Sequence, residues 1–254
     1  MLALFEKSAV VLELELRKMM HDQSDIIIRT IQPVLWLTIF GSVFGQLRQV
    51  PLSGVPYLAY MTPGVLAQSV LFMAIFTGVS LVWERDLGQL DRLLCAPIPR
   101  TAIVLGKALT GGVKGLFQAG IIFAIALVMG VNIIFNPLYM VAVIAVVLLF
   151  GICFSSLSIF VMTLLKTRER VMGIVQLITM PLFFASNALY PIELMPSWLQ
   201  AISFANPMTY VVAALRALMI TGDLSGLPTD LAGMGLATVI FVVLASAAFR
   251  KLGA

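Results

Sequence analysis

Charged residues are scarce in this sequence. Only 11% of its 254 residues are Asp, Glu, Lys or Arg, whereas 61% are hydrophobic; in an average soluble domain about one quarter of the residues are charged. A soluble fold of this length needs far more polar surface to cover its core. The composition therefore argues against an ordinary soluble globular protein and favours a chain that lies in a membrane.

Histidine and cysteine are also nearly absent. The sequence has one histidine, His21, and two cysteines, Cys95 and Cys153. The cysteines fit no metal-binding spacing and are too few for a disulfide framework. One histidine at the membrane edge leaves little basis for an acyl-transfer triad or an intramembrane enzyme. We therefore expect neither a catalytic residue nor a metal site in this chain.

A loop that cradles the phosphates of ATP is missing as well. Such a loop needs Gly-x-x-x-x-Gly-Lys-Ser/Thr after a strand. The nearest match, Gly106-Lys107, is followed by Ala108 and has Thr101 where the first glycine is required. If ATP and Mg²⁺ are used, a separate chain must bind them.

The few charges are clustered, and long uncharged segments separate them. No Asp, Glu, Lys or Arg occurs in 30–47, 49–83, 115–165 or 171–192. About 20 apolar residues cross a bilayer as a helix, so the third of these segments is long enough for two crossings. Continuous apolar runs argue against a barrel, whose strands alternate apolar and polar residues. The sequence predicts an all-α membrane protein with a single transmembrane domain.

We predict six spans, at 31–46, 57–82, 106–135, 138–165, 171–190 and 231–249. Asn136-Pro137 forms the turn between the third and fourth. With the N-terminus inside, all of the 16 basic residues except Arg48 and Arg216 fall on the inner side, as the positive-inside rule requires. We expect a multi-pass protein of the plasma (bacterial or archaeal inner) membrane with both termini in the cytoplasm.

The N-terminal segment 1–29 has apolar residues at helical spacing, with charges on the other face. The stripe comprises Leu2, Phe5, Ala9, Leu12, Leu16 and Met19. It is typical of a helix that lies in the inner membrane interface. On periodicity alone, a solvated amphipathic helix packed on protein fits equally well.

A second informative segment is the loop 83–100 between the second and third spans. Residues Glu84 to Leu94 predict a short amphipathic helix, with Leu87, Leu90 and Leu94 on one face and Pro97 and Pro99 ending it. This apolar face is available to pack on the membrane domain or on a partner protein.

The third segment, 191–220, is almost uncharged but is broken by Pro196 and by Asn206-Pro207. Two half-helices that re-enter the membrane from outside fit it better than one more span. A seventh crossing would also place Arg250 and Lys251 on the outer side.

Lys107 and Lys114 lie seven residues apart, on one face at the inner end of the third span. Lysines near a helix end usually extend to the membrane interface. A basic inner vestibule that attracts an anionic lipid or glycan is the other interpretation.

Taken in order, these features resemble the membrane subunits of type-2 ABC (ATP-binding cassette) exporters, close to those of drug-resistance and nodulation-oligosaccharide type. The resemblance extends over nearly the full length. It is carried by the N-terminal helix, by Glu84-Arg85, by the run Leu93-Leu94-Cys95-Ala96-Pro97-Ile98-Pro99-Arg100, and by the basic loop Lys166 to Arg170. The most specific part is Asn206-Pro207-Met208-Thr209-Tyr210-Val211-Val212-Ala213-Ala214-Leu215-Arg216.

This resemblance implies a homodimer in the lipid bilayer that binds two copies of a cytosolic ABC ATPase, which carries the ATP and Mg²⁺. It implies ATPase-coupling residues Glu84, Arg85, Leu87, Leu90, Asp91, Leu94, Lys166, Arg168 and Arg170, and outer-gate residues Glu193, Asn206, Pro207, Tyr210 and Arg216. Drugs, lipids and glycans are the implied substrates. The net charge of +4 reports membrane orientation and not a nucleic-acid partner. The alternative is a stand-alone secondary transporter or channel, which would need a polar path in mid-span that the sequence almost lacks.

Overall fold

The computed structural model describes residues 2–21, 24–46, 55–165 and 167–250, with side chains omitted at 2–5, 20–21, 24–28, 44–46 and 168. The described residues form helices and connecting turns, without a strand. In chain order the α-helices are α1 (Leu2–His21), α2 (Ser24–Leu35), α3 (Gly41–Gln46), α4 (Tyr57–Asp86), α5 (Gln89–Cys95), α6 (Arg100–Val128), α7 (Pro137–Leu164), α8 (Arg168–Phe184), α9 (Ser197–Ala205), α10 (Pro207–Arg216) and α11 (Leu227–Phe249).

Four helices are long and apolar enough to cross a membrane: α4, α6, α7 and α11. A fifth crossing is added if α9 and α10 with its extension to Thr221 count as one bent span. Apolar side chains remain exposed along the outside of this group, for example Leu138 on α7 and Leu236 on α11. Such faces are stable in contact with lipid, so the chain is an all-helical, multi-pass membrane protein.

Close approach of α4, α6 and α7 forms the centre of the bundle. A Cβ placed on Gly78 of α4 would lie 2.5 Å from the backbone carbon of Ser158 on α7, and a Cβ on Gly151 of α7 would lie 2.5 Å from the Cα of Gly112 on α6. Only glycine permits these contacts, as is common where membrane helices cross.

Serines on α7 join it to α4. Ser155 donates a hydrogen bond to the carbonyl of Ala74 at 3.1 Å, and Ser158 donates to the carbonyl of Ile75. Ser156 bonds the Ile152 carbonyl of its own helix. Because all three are buried, they serve helix packing in this structure and do not line an open path.

The two ends of the bundle differ in character, and we name each by a helix that it carries. At the α5 end lie α5, the C-terminus of α4 and the N-terminus of α6; at the α9 end lie α9 and the N-terminus of α4. Around the bundle, α2 to α3 and α8 each run between these ends. The helical segment over the first predicted span begins at Ser24, earlier than the predicted start at Ile31, and contains a π-helical turn at Trp36–Phe40.

Other helix bounds depart from the predicted spans. Helix α6 begins at Arg100 and ends at Val128, because Gly130 adopts a left-handed conformation with φ of 81° that ends the helix. Helix α8 ends at Phe184. The segment predicted as two half-helices contains α9 and α10, and the pair is bent by 82° at Asn206.

Candidate functional site

The α5 end carries the residues that the sequence assigned to ATPase coupling. The predicted helix over Glu84–Leu94 is wrong in its bounds, since α4 continues through Glu84 and Arg85 to Asp86 and α5 begins at Gln89. Gly88 lies between them with φ of 69°, a left-handed conformation that favours glycine and ends α4. The segment predicted to couple to an ATPase is therefore a turn followed by a seven-residue helix.

This break separates the leucines that were predicted to share one face. Leu87, in the turn, is 71% exposed, whereas Leu90 on α5 is 1% exposed. Leu90 packs in a core cluster with Val82, Ile103 and Phe249, and Leu94 packs partly against the same cluster. Leu90 therefore anchors α5 to the bundle, and Leu87 together with Asp91, which is exposed, faces outward.

Beneath this turn lies a group of four charges from three helices, Glu15 and Lys18 of α1, Glu84 of α4 and Lys107 of α6, which we call the charge cluster. Three of the four are buried, and the side chain of Lys18 is partly exposed. Lys107 Nζ lies 2.8 Å from a Glu15 carboxylate oxygen and 2.5 Å from one of Glu84. Lys18 Nζ lies 3.1 Å from Glu15 and 3.0 Å from Glu84. Each carboxylate therefore pairs with both lysines.

Lys107 is only 1% exposed, so its side chain does not reach the surface of the bundle. It lies in an ion pair that neither sequence-based interpretation of this residue included. Glu84, proposed as a contact for the partner, is 8% exposed and points into the bundle. A buried charge without its partner is costly, so the cluster holds α1, α4 and α6 together.

The cluster also controls protonation on α1. Burial alone would raise the pKa of Glu15, but the ion pairs with Lys107 and Lys18 outweigh burial and lower that pKa from 4.5 to about 2. Burial lowers the pKa of Lys18, yet the carboxylates of Glu15 and Glu84 together raise it above its ordinary value. Glu15 and Lys18 therefore stay charged near neutral pH.

Helix α1 packs tightly against α6. A Cβ on Gly106 would lie 2.6 Å from Val11 Cβ and 2.8 Å from the Ser8 carbonyl oxygen. Ser8, Val11 and Glu15 are buried, while the predicted apolar stripe residues Leu12 and Leu16 are half-buried beside them. One face of α1 thus docks on protein, with Leu12 and Leu16 of the predicted stripe at the flank of that contact and Ala9 exposed.

Helix α1 also contacts the segment predicted to couple to an ATPase. Lys7 donates a hydrogen bond to the carbonyl of Pro97, in the loop after α5. Val10 and Leu14 on α1 are 55% and 45% exposed. Together with Leu87, they place three exposed apolar side chains at the α5 end, on α1 and the α4–α5 turn.

A cleft of about 350 Å³ opens between α1, α2 and α4. Lys114 lies on its wall with Lys18, Trp83 and the cluster carboxylates, and the Arg29 guanidinium stacks 3.5 Å from the centre of the Phe76 ring. Lys114 and Lys107 thus have different surroundings. A vestibule role for either lysine stays a prediction.

The remaining coupling residues lie around the same end. Arg85 donates to the carbonyl of Leu165 at 3.5 Å, which connects α4 to the segment before α8. Arg170 is exposed near the start of α8. Arg168 is the first residue of that helix; its side chain and Lys166 lie outside the described part of the structure.

The α9 end contains the predicted gate residues. Asn206 is 3% exposed; its side-chain oxygen caps α10 by accepting from the Met208 N–H at 2.9 Å. Its amide nitrogen donates to the carbonyls of Leu182 and Ala185. One side chain therefore fixes both the bend between α9 and α10 and the position of that bend against α8. Pro207 is the first residue of α10, where its missing N–H costs nothing.

Arg216 connects α10 to α4 and to the segment after α8. It donates to the Asn187 carbonyl at 2.7 Å and the Tyr60 carbonyl at 3.3 Å, and its guanidinium lies 3.7 Å from the centre of the Tyr60 ring. No carboxylate pairs with it among the described residues. Tyr210 donates to the Phe204 carbonyl, and Glu193 is exposed in the turn Ile192–Leu194.

Sequence reasoning missed Glu15, Lys18 and Asn187. The available signal for Glu15 was its position between Leu12 and Leu16, on the apolar side of α1; a carboxylate there requires a cationic partner. No local pattern marks Asn187, since its carbonyl contacts residues far away in the chain.

Comparison with known proteins agrees with the resemblance in the sequence. Residues 8–220 match the family described as ABC-2 type transporter. The chain is 32% identical over 192 residues to the transport permease ycf38 of Cyanophora paradoxa, covering 74% of this chain and 65% of that protein. It thus spans about two thirds of that relative.

Two further relatives come from bacteria. The daunorubicin resistance ABC transporter permease protein DrrB1 of Streptomyces coeruleorubidus is 30% identical over 78% of this chain and 70% of its own length. The inner membrane transport permease YadH of Escherichia coli K12 is 26% identical over 73% of each chain. The family match covers most of the chain, and the chain therefore belongs to the ABC-2 type transporter family of membrane permeases.

Proposed function

We propose that this chain is the membrane subunit of an ABC-2 type exporter. Two copies form the substrate pathway, and a separate cytosolic ATPase, which binds ATP and Mg²⁺, drives it. The observation that carries the proposal is the α5 end. At this end the α4–α5 turn faces outward with Leu87 exposed. The turn lies next to the charge cluster, which joins α1 to the long helices α4 and α6.

The proposed topology has six crossings. Besides the four long helices, the segment from α2 to α3 runs beside α4 from Arg29 near Phe76 to Gly41 near Leu58. From Leu58 to Phe76 the 18 residue steps of α4 correspond to about 27 Å at 1.5 Å per residue, close to the thickness of a bilayer core of about 30 Å. Helix α8 has 17 residues, or about 25 Å, and the segment after it reaches Tyr57 at Leu189.

The α5 end faces the cytoplasm in this proposal, and both termini lie there, in the plasma membrane. Supporting it, Arg85, Arg92, Arg100 and Arg170 all lie at or near this end, as expected for an inner side. Cys95, at the end of α5, is exposed and Cys153 is buried. A membrane-impermeant maleimide applied to intact cells should leave Cys95 unlabelled and label it after permeabilisation; labelling in intact cells would contradict this orientation.

The proposed ATPase-docking surface consists of Leu87, Asp91 and Arg92 at the α4–α5 turn together with Val10 and Leu14 on α1. Its apolar side chains are exposed although they lie outside the long spans. Charged residues at its rim give orientation, and a central apolar contact gives affinity. Arg170 at the start of α8 extends this surface.

The outer gate of the pathway is proposed at the α9 end, where Asn206, Pro207, Tyr210 and Arg216 hold the bent helix pair and Glu193 lies at its edge. The bend of 82° fits a segment that enters the membrane and returns. The proposed substrate is a drug, lipid or glycan; the name of the Streptomyces relative points to drug export for that protein.

The experiment that tests the proposal is affinity purification of the tagged chain, in mild detergent, from its own source. We expect a stoichiometric soluble protein that contains a phosphate-binding loop, and MgATP hydrolysis by the purified complex. A monodisperse chain that carries no ATPase would instead favour a stand-alone secondary transporter, to be tested by ion-driven flux.

A further inference from the structure

The charge cluster is the most unusual feature of the described part of the chain outside the proposed docking surface and gate. Four charged groups are gathered at one point, and two of them, Glu15 and Lys107, have side chains that are 5% and 1% exposed. The four groups come from three elements: the N-terminal helix α1 and the long helices α4 and α6. Simple anchoring of a surface helix does not need buried charge, because apolar contacts anchor such helices at lower cost.

Resting on the proposed function, we infer that the charge cluster is the coupling joint of this permease, through which movement of α1 and the α4–α5 turn reaches the inner ends of α4 and α6. The four cluster residues act as positioning residues that touch neither nucleotide nor substrate. They hold the docking surface in a fixed position relative to α4 and α6.

The geometry makes this joint stiff. Lys107 lies between Glu15 and Glu84, so a shift of α1 away from α4 and α6 would break the pairs Glu15–Lys107 and Lys18–Glu84. Each buried carboxylate would then keep one lysine instead of two. Charges in a dry site cannot exchange their partner for water without cost. Gly106, adjacent to Lys107, lies against Val11 and Ser8, so α1 also cannot slide toward α6. Displacement in either direction is resisted.

The charge cluster lies between the proposed docking surface and the long helices. Glu84 is on the last turns of α4, directly before the exposed turn at Leu87. Lys7, nearer the N-terminus of α1, bonds to the loop after α5. A partner that moves the α4–α5 turn therefore moves α1 with it, and the cluster passes that movement to α6, which packs along both α4 and α7. Rigid elements with discrete packings transmit such movements over long distances.

The test measures an ATP-driven change at the far end of the molecule, without knowledge of the substrate. Trp198 on α9 is 65% exposed, and we would replace it with cysteine in a Cys95→Ser background. The full chain, purified with its ATPase, is reconstituted in vesicles. Labelling by a membrane-impermeant maleimide is followed with and without MgATP and vanadate, and ATPase retention and hydrolysis are measured on the same samples.

The decisive variant is Glu15→Gln, which removes the α1 carboxylate from the cluster while the pair between Glu84 and Lys107 remains. Its matched control is Glu13→Gln, on the same helix but in an exposed pair with Arg17. We expect Glu15→Gln to reduce the MgATP-dependent change in labelling rate at least about fivefold, at the lower end of typical coupling between sites. The bound ATPase should be retained and should still hydrolyse ATP. Glu13→Gln should respond as the parent does.

Two further variants separate coupling from folding. Lys107→Met should lose the response and Lys107→Arg should restore most of it. The side chain of Lys18 is 45% exposed in the parent, so its replacement should destabilise the fold less than replacement of Lys107. Lys18→Met should therefore fold and still show a reduced MgATP-dependent change in labelling rate. A parent-like response in Glu15→Gln or Lys18→Met, with the ATPase bound, would overturn the inference. If the parent chain holds no ATPase, the proposed function itself fails, and this inference fails with it.

Discussion

Replacement of Lys107 by methionine tests how much the charge cluster contributes to the stability of the bundle. Methionine keeps the approximate length of the lysine stem and removes only the charge. Glu15 and Glu84, whose side chains are 5% and 10% exposed, then lose their most buried partner. Removal of one partner from a buried ion pair costs roughly 3–5 kcal/mol.

Part of that cost is offset in this protein. Lys18 stays within 3.1 Å of Glu15 and 3.0 Å of Glu84, and its half-exposed side chain can still neutralise one of them. Methionine also gains apolar contacts at a fully buried position. We therefore expect Lys107→Met to lower the free energy of unfolding by about 3 kcal/mol, near the lower limit of the range for buried pairs.

The assay is reversible unfolding in mixed micelles with increasing dodecyl sulfate, followed by tryptophan fluorescence. Trp83 lines the cleft beside the cluster and is the expected local reporter. Lys7→Met is the matched control. Its ammonium bonds one exposed carbonyl, so its loss should cost no more than about 1 kcal/mol.

A triple variant refines the argument. Glu15→Gln and Glu84→Gln together with Lys107→Met remove the buried charges at the same time as their partner, which is often nearly neutral. The triple variant should therefore recover much of the stability that Lys107→Met loses. A cost below about 1 kcal/mol for Lys107→Met, or a triple variant that is less stable than the single one, would refute the reasoning, since both follow only if the buried charges depend on one another.

Three more predictions concern other contacts. The pKa of Glu15 is lowered to about 2 in the folded protein, so its carboxylate stabilises the fold above the unfolded pKa of 4.5, and this stability is lost as the pH falls toward 2. Glu15→Gln should therefore lose less stability than the parent between pH 4.5 and pH 2. Equal losses in unfolding titrations would contradict the assignment. Asn206→Ala should lower the unfolding free energy by about 2–3 kcal/mol, and Asn136→Ala by about 1 kcal/mol. Both asparagines cap a helix that starts at Asn-Pro, but only Asn206 also donates to two backbone carbonyls. Equal costs for the two variants would refute this role of Asn206. Gly78→Ala should destabilise by about 1–3 kcal/mol through overpacking against Ser158, while Gly120→Ala, with open space around it, should be neutral or slightly stabilising by helix propensity.

The helical membrane architecture was predictable because it depends on uninterrupted apolar composition, which is a local property. The four long helices fall in segments that hydropathy alone identifies. The start of α7 at Asn136-Pro137 was predictable for the same reason: an N-cap and a proline at the first helical position act within a few residues. The prediction that these two residues alone form the turn was wrong, since the connection from α6 covers residues 129–136. The family was recognisable from its ordered motifs, of which Asn206-Pro207 is structurally the most informative, since it marks the bend between α9 and α10.

The interior of the site was not predictable, because it depends on contacts between distant segments. Glu15 and Lys107 are 92 positions apart, and only the docking of α1 on α6 brings them together. Periodicity placed Leu87 and Leu90 on one helical face because it assumed a continuous helix; Gly88 breaks that helix and sends the two side chains in opposite directions. A glycine that ends one helix and starts another was therefore the signal that the sequence-based interpretation missed.

The most direct test of the central claim is capture of the ATPase by paired leucine variants. Leu87→Asp places a charge in the middle of the proposed docking surface at a side chain that is already exposed, so the fold should be preserved. Leu224→Asp makes the same change in the loop before α11, near the α9 end, where the leucine is also exposed. We predict that the parent and Leu224→Asp retain a stoichiometric ATPase and its MgATP hydrolysis, whereas monodisperse Leu87→Asp loses both. Equal capture by the two variants would contradict an ATPase-docking role for the α4–α5 turn.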